Sequence, residues 1–138
     1  MHAEIFFTTK SKFELVNITE KIREVVAESD VKNGIAVVYV PHCTGGIIIN
    51  ESADPALEHD ILGKFETLVP SKEKYYHDRI DDNGQAHVKA CLVPTSQVVP
   101  VVDSRLQLGT WQSLFFIEFD GPKHKRSAIV MLIKASGQ

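Results

Sequence analysis

Three histidines stand in polar or glycine-rich surroundings: His42 in Pro41-His42-Cys43-Thr44-Gly45-Gly46, His77 after Tyr75-Tyr76, and His87 just beyond Asn83-Gly84. Imidazoles arriving from separate elements can bind a zinc-type divalent ion and leave one position open for water or substrate. The spacing alone is also what three unrelated, hydrogen-bonded histidines would give, because His77 and His87 lack the i, i+4 separation of two ligands on one helix face. His2, His59 and His124 sit at a terminus, between Glu58 and Asp60, and in a basic run, as surface residues do. Cys43 follows His42, but adjacent residues on an extended chain point apart, so a packed or incidental thiol is expected there rather than a nucleophile.

Thr44-Gly45-Gly46 can turn successive backbone N–H groups inward to receive phosphate oxygens, or simply allow a tight bend. It is no P-loop, since the longer spacing and the Lys-Ser/Thr pair are missing. Lys123, His124, Lys125 and Arg126 form a basic cluster that suits a phosphate or a solvated turn. Glu51 directly follows an apolar run and is placed to orient a histidine or act as a base. Glu118, between Ile117 and Phe119, needs a partner such as Arg126 or a histidine if it is buried. Asp54 has a sufficient role as a helix cap, and Asp60 faces water.

These residues need elements to hold them. Ile5 to Thr9 and Phe13 to Val16 read as strands and are expected to form a hairpin about Lys10-Ser11-Lys12. Ile18, Ile22, Val25 and Val26 mark a helix over 18–29, with Asn17 and Glu20 at the spacing of an N-cap and its reciprocal partner. Ile35 to Val40 and Ile47 to Ile49 read as two central strands flanking the His42 loop. Asp54-Pro55 opens a second helix whose apolar face, Leu57, Ile61, Phe65 and Leu68, ends at Pro70. Residues 71–84 read as an ordered loop of functional length, and 86–92 as a short helix ended by Pro94. Val98 to Val102 is a strand whose Pro100 suits an edge or bulge. Trp111 to Phe119 and Ser127 to Lys134 are expected to pair antiparallel across Asp120-Gly121-Pro122. In the first of these, Trp111, Ser113, Phe115, Ile117 and Phe119 share one face and Gln112, Leu114, Phe116, Glu118 and Asp120 the other. The apolar run Ala128 to Ile133 wants cover on both sides, from helices or from a subunit interface.

The 138 residues suffice for one domain burying roughly two thirds of its unfolded surface. A charged fraction of 24% and a formal net charge of -3 argue against general affinity for nucleic acid or anionic membrane. No apolar run approaches the ~18 residues of a membrane span, and Met1-His2-Ala3-Glu4 lacks a basic segment followed by an apolar stretch, so no secretion signal is expected. Two cysteines, Cys43 and Cys91, fit a reducing compartment, so a cytoplasmic protein is expected.

The chain resembles the YjbQ family over nearly its whole length. The resemblance is carried by Pro41-His42 through Ile49-Asn50-Glu51, Ala53-Asp54-Pro55, Asp60, Tyr76-His77, Asn83, Ala86-His87, Leu106 through Gln112, and Glu118-Phe119-Asp120-Gly121-Pro122. It implies an α+β fold, a largely antiparallel sheet or β-sandwich with two main helices packed on it, in a homotrimer. It also implies thiamine-phosphate synthase activity, joining thiazole phosphate to hydroxymethylpyrimidine diphosphate with loss of pyrophosphate. On that reading His42, Glu51, His87 and Glu118 are catalytic, and Thr44, Gly45, Gly46, Asn50, Gln112, Lys123 and Arg126 hold the phosphorylated substrate. His42, His77 and His87 would take a zinc-type ion, or magnesium would arrive with the pyrophosphate. A non-enzymatic trimer binding a metal or phospho-ligand, and a metal-dependent phosphoesterase, are the alternatives. Three departures bear on substrate detail: Cys43 and Gly45 within a motif that usually reads His-Thr-Thr-Ala, Ser104 for a Gly, and Lys123 for an Arg.

Overall fold

Runs of alternating apolar residues become strands here, and their burial shows which side faces the interior. The computed structural model describes residues 1–137. Its elements are β1 (His2–Thr9), β2 (Glu14–Asn17), α1 (Thr19–Glu28), β3 (Gly34–Tyr39), β4 (Gly45–Glu51), α2 (Pro55–Leu68), α3 (Asp78–Asp81), α4 (Gly84–Ala90), β5 (Ser96–Val102), β6 (Arg105–Leu106), β7 (Gln112–Glu118) and β8 (Lys123–Lys134). The fold is α+β. A five-stranded sheet of order β1-β8-β3-β5-β6 faces a three-stranded sheet of order β2-β7-β4, and every pairing is antiparallel.

Between the sheets lies one apolar core. Phe7, Ala36, Val38, Val99, Ala128 and Val130 come from the larger sheet, Ile47, Leu114 and Phe116 from the smaller, Ile18 from just before α1, and Ile22, Val25 and Val26 from within it. The opposite face of the smaller sheet packs Ile48, Ile117 and Phe119 against Ile61, Leu62 and Phe65 of α2 and Ala86 and Ala90 of α4. The two-face reading of β7 therefore holds: Leu114 and Phe116 face the other sheet, Ile117 and Phe119 face the helices. The outer face of the larger sheet is bare in the single chain, exposing Phe6, Ile35, Tyr39, Val98, Met131 and Ile133.

Several expectations fail, mostly about which strands meet. β1 pairs β8 and β2 pairs β7, so 10–12 joins the two sheets instead of closing a hairpin. β7 and β8 likewise belong to opposite sheets, and the cis Gly121–Pro122 turn carries the chain between them. β3 is interior to its sheet, but β4 is the edge strand of the other. Periodicity specifies which face is buried, and it is silent on partner choice when every strand offers the same alternation. Asn17 Oδ1 accepts from Thr19 N (3.1 Å) and from its hydroxyl, while Glu20 pairs with exposed Arg23, so the reciprocal capping box is not formed. Asp54 does cap α2, accepting from Ala56 N at 2.9 Å with Pro55 at the first helical position. Pro100 is tolerated inside β5 because its carbonyl, and hence its missing N–H, points toward the short β6 side, where Gln107 N reaches it at 2.8 Å. Ser104 takes the left-handed conformation (φ 62°) beside Asp103 (φ 51°) in the β5–β6 turn, a place that favours the glycine of the family pattern.

Candidate functional site

The His42 segment crosses from the larger sheet to the smaller at one end of the sandwich. Val40 N donates to Thr95 O (2.8 Å) as β3 ends. β4 then starts opposite the end of β7, with Gly45 against Glu118 and Gly46 against Ile117. A Cβ on Gly45 would lie 2.4 Å from Phe116 Cζ and 2.5 Å from Ile117 O, and one on Gly46 would lie 2.5 Å from Val93 Cγ2. These glycines permit close packing within a ladder.

Beneath the loop, Glu118 and Arg126 form a buried pair. Glu118 is wholly buried; Arg126 donates through Nε to Oε2 (2.8 Å) and through Nη2 to Oε1. Thr9 Oγ1 (2.9 Å) and Asp120 N (2.9 Å) add two further donors to the carboxylate. Arg126 Nη2 also reaches Thr44 Oγ1 at 2.9 Å. The partner foreseen for Glu118 is present, and four hydrogen bonds hold the fully buried carboxylate in place. Arg126 and Thr44 are likewise held by protein groups. The basic cluster is no turn either, since it begins β8, with Lys123 exposed and Arg126 buried. Lys123 Nζ lies 3.7 Å from Asp120 Oδ2.

His42 stands over this pair, edge-on to Phe116 with ring centroids 5.9 Å apart. Its Nε2 accepts from Ser127 N at 3.0 Å. A neutral imidazole accepting at Nε2 carries its proton on Nδ1. Burial, with the Arg126 guanidinium nearby, pulls the His42 pKa below the usual histidine value of 6.5. A histidine with a depressed folded pKa gives full stability above its unfolded pKa and loses it as pH falls toward the folded value, because the unfolded chain takes up the proton first. The wild-type melting temperature should therefore fall as pH drops below about 6.5. His42→Gln should flatten that dependence in melts recorded from pH 5 to 8; an unchanged slope would assign it to other groups.

His87 comes from α4, a helix oriented by unusual buried polarity. Gln85 Nε2 donates to Phe119 O (3.0 Å), and Lys89, only 1% exposed, donates through Nζ to Glu66 Oε2 (3.0 Å) and to Gln85 Oε1. Burial lowers the Lys89 pKa, against the pull of Glu66. At 100° per residue His87 lies on the far side of α4 from both Gln85 and Lys89. It meets His77 edge to face, ring centroids 4.6 Å apart. His42 and His87 line a common cleft of about 550 Å³, together with Cys43, Cys91, Val93 and Thr95. Cys43 and Cys91 are exposed free thiols.

The histidine region is thus one place, with Thr44, Glu118 and Arg126 beneath it, and a second group of candidates lies elsewhere. Asn50, Glu51 and Gln112 lie at the opposite end of β4 and β7, where Glu51 pairs with Gln112 and a groove also takes in Ile49 and exposed Trp111. At about 3.3 Å per residue, Glu51 stands roughly 20 Å along β4 from Gly45. Asn83, Asp120, Gln85 and Lys89 were given no role from sequence. Asn83-Gly84 looks like an ordinary turn, and nothing in the local pattern marks a lysine for burial.

An antiparallel sandwich with two helices on one sheet, and a cleft at its end bearing histidines from a β-connection and a short helix, defines the class of protein. Residues 3–135 match the family described as UPF0047 protein YjbQ-like. The chain belongs to that family. It is 47% identical over 117 residues to UPF0047 protein MJ1081 of Methanocaldococcus jannaschii, covering 85% of this chain and 83% of the relative. It is 39% identical over 125 residues to UPF0047 protein YugU of Bacillus subtilis, covering 90% and 93%. A crystal structure of a YbjQ-like protein of unknown function from Sulfolobus solfataricus superposes with a TM-score of 0.93 at 36% identity, covering 98% of this chain and 97% of that one. Among the described residues no helix is long and apolar enough to cross a membrane.

Proposed function

We propose that this chain is a thiamine-phosphate synthase-like transferase, joining thiazole phosphate to hydroxymethylpyrimidine diphosphate in the cleft between His42 and His87. The thiazole nitrogen forms a bond to the exocyclic methylene as the C–O bond to the diphosphate breaks, and that electron pair leaves with pyrophosphate. The observation carrying this reading is the fixed His42 tautomer: a cleft-lining imidazole whose Nε2 is tied to Ser127 N and whose Nδ1–H is the donor. Such a donor suits the oxygen that gains charge as the diphosphate departs. Exposed Lys123, at the start of β8, carries a positive charge 3.7 Å from Asp120 Oδ2. A divalent ion, zinc-type at the histidines or magnesium with the pyrophosphate, would stabilise phosphate charge when bound.

The same reading includes a cytoplasmic homotrimer. Its support is the bare apolar face spanning Phe6, Ile35, Tyr39, Val98, Met131 and Ile133, a feature that marks a covered surface. A neighbouring copy is also the only way for Asn50, Glu51 and Gln112 to approach a histidine cleft.

Untagged protein supplied with both substrates and a divalent ion is expected to release pyrophosphate and form thiamine phosphate, with a solution mass of three chains. His42→Ala and His87→Ala should each lower kcat by about 100-fold or more. Absence of both products sinks the transferase reading. Phosphate release without the thiazole substrate would replace it with phosphoester hydrolysis, and ligand-dependent thermal shifts without turnover with a binding role.

A further inference from the structure

Two buried polar atoms in the 77–87 region have no hydrogen-bond partner: His77 Nε2 and Asn83 Oδ1. Each forfeits the bond it makes with water in the unfolded chain, so their pairing with something outside the protein is the natural complement. The Asn83 amide is not free to turn. Its Nδ2 donates to Asp120 Oδ2 at 2.9 Å, and a flipped amide would set oxygen against carboxylate. Oδ1 is thereby aimed away from Asp120 as a bare acceptor. His77 packs edge to face on His87, which brings a second imidazole to the same place.

Among the described residues, no three His, Cys, Asp or Glu side chains converge closely enough to hold an ion. A set of three histidines is therefore not closed within the chain. His42, moreover, has its Nε2 committed to Ser127 N. An amide oxygen is the kind of ligand that completes a pair of imidazoles. We infer that His77 Nε2, the His87 imidazole and Asn83 Oδ1 together bind a divalent cation of borderline softness, such as Zn²⁺, Co²⁺ or Mn²⁺, and that Asp120 orients Asn83 for it. Imidazole nitrogens and an amide oxygen, with a carboxylate behind the amide, are the ligand types that such a cation takes. His42 is left as a proton-handling group outside the coordination set.

The ion site is separable from the transferase reading, because binding is measured without turnover. Chelator-treated, untagged protein titrated with Co²⁺ or Zn²⁺ should take up one ion per chain, and Co²⁺ should give visible ligand-field bands. His77→Ala and Asn83→Ala should weaken binding by at least about 10-fold, and Asp120→Ala by about 10- to 100-fold. His42→Ala should change affinity by no more than about 2-fold, because the Nε2 lone pair of His42 is already taken by Ser127 N and the ring supplies no ligand. Metal-free melts establish that each variant folds; if Asn83→Ala does not, Asn83→Ser, which keeps a hydroxyl for Asp120, carries the same expectation. The inference is overturned by an absence of stoichiometric binding or by unaltered affinity in a folded Asn83 variant. It is overturned equally if His42→Ala loses as much affinity as His77→Ala, which would restore the three-histidine set. Failure to make thiamine phosphate while cobalt binds as described would end the transferase reading alone.

Discussion

Arg126→Met is expected to lower the free energy of unfolding by about 3–5 kcal/mol, the cost of leaving one member of a buried pair alone. Glu118 has no exposure, and Arg126 supplies two of its four hydrogen bonds. Thr9 and the Asp120 amide remain in the variant, but neither brings charge. Replacing both partners, Glu118→Leu with Arg126→Met, should recover much of the loss, because two buried charges are then absent rather than one unpaired. Urea denaturation of the three variants distinguishes the cases. A double variant no more stable than Arg126→Met would show that the pair supports the fold through shape rather than charge compensation. Because Arg126 also holds Thr44, the single variant should disturb the His42 loop as well.

Phe116→Ala should cost a similar amount, about 3–5 kcal/mol, by opening a cavity under the same loop. The ring is wholly buried, meets Phe7 at 5.3 Å between centroids, lies under the Arg126 guanidinium at 5.3 Å, and presents an edge to His42. It is also the nearest obstacle to any side chain at Gly45. Phe116→Leu retains most of the volume and should lose less. Equal losses for the two, read from denaturant midpoints at an unchanged slope, would mean that the aromatic contacts and not the filled space are what matter.

Element type was legible in the sequence wherever a local pattern reports burial. The α1 stripe of Ile22, Val25 and Val26, the Asp54-Pro55 helix start and the alternating faces of 113–119 all follow from side-chain geometry within one element. Pairing was not legible. Whether Ile5–Thr9 finds Phe13–Val16 or β8 depends on the summed packing of a sandwich, which no single strand encodes. The same limit shaped the site. His77 and His87 could be nominated by residue type, but their approach depends on α4 being pinned by Gln85 and Lys89. Glu51 looked like a natural companion to His42 because it stands only nine positions further on in the sequence; an extended strand turns that nearness into distance. Glu118 shows the opposite case, where the need for a counter-charge was readable and Arg126 meets it.

β4 therefore acts as a spacer bar within the chain. Its starting glycines lie under His42 and its last residue is Glu51, so a molecule touching both ends must bridge roughly 20 Å. A single phosphorylated ring is much shorter than that. Within one chain such a molecule meets the imidazoles or the Asn50–Glu51–Gln112 group, never both at once, and no proton can pass directly between Glu51 and His42. What residue order presents as one stretch is, in three dimensions, two groups of polar side chains at opposite ends of a rigid rail.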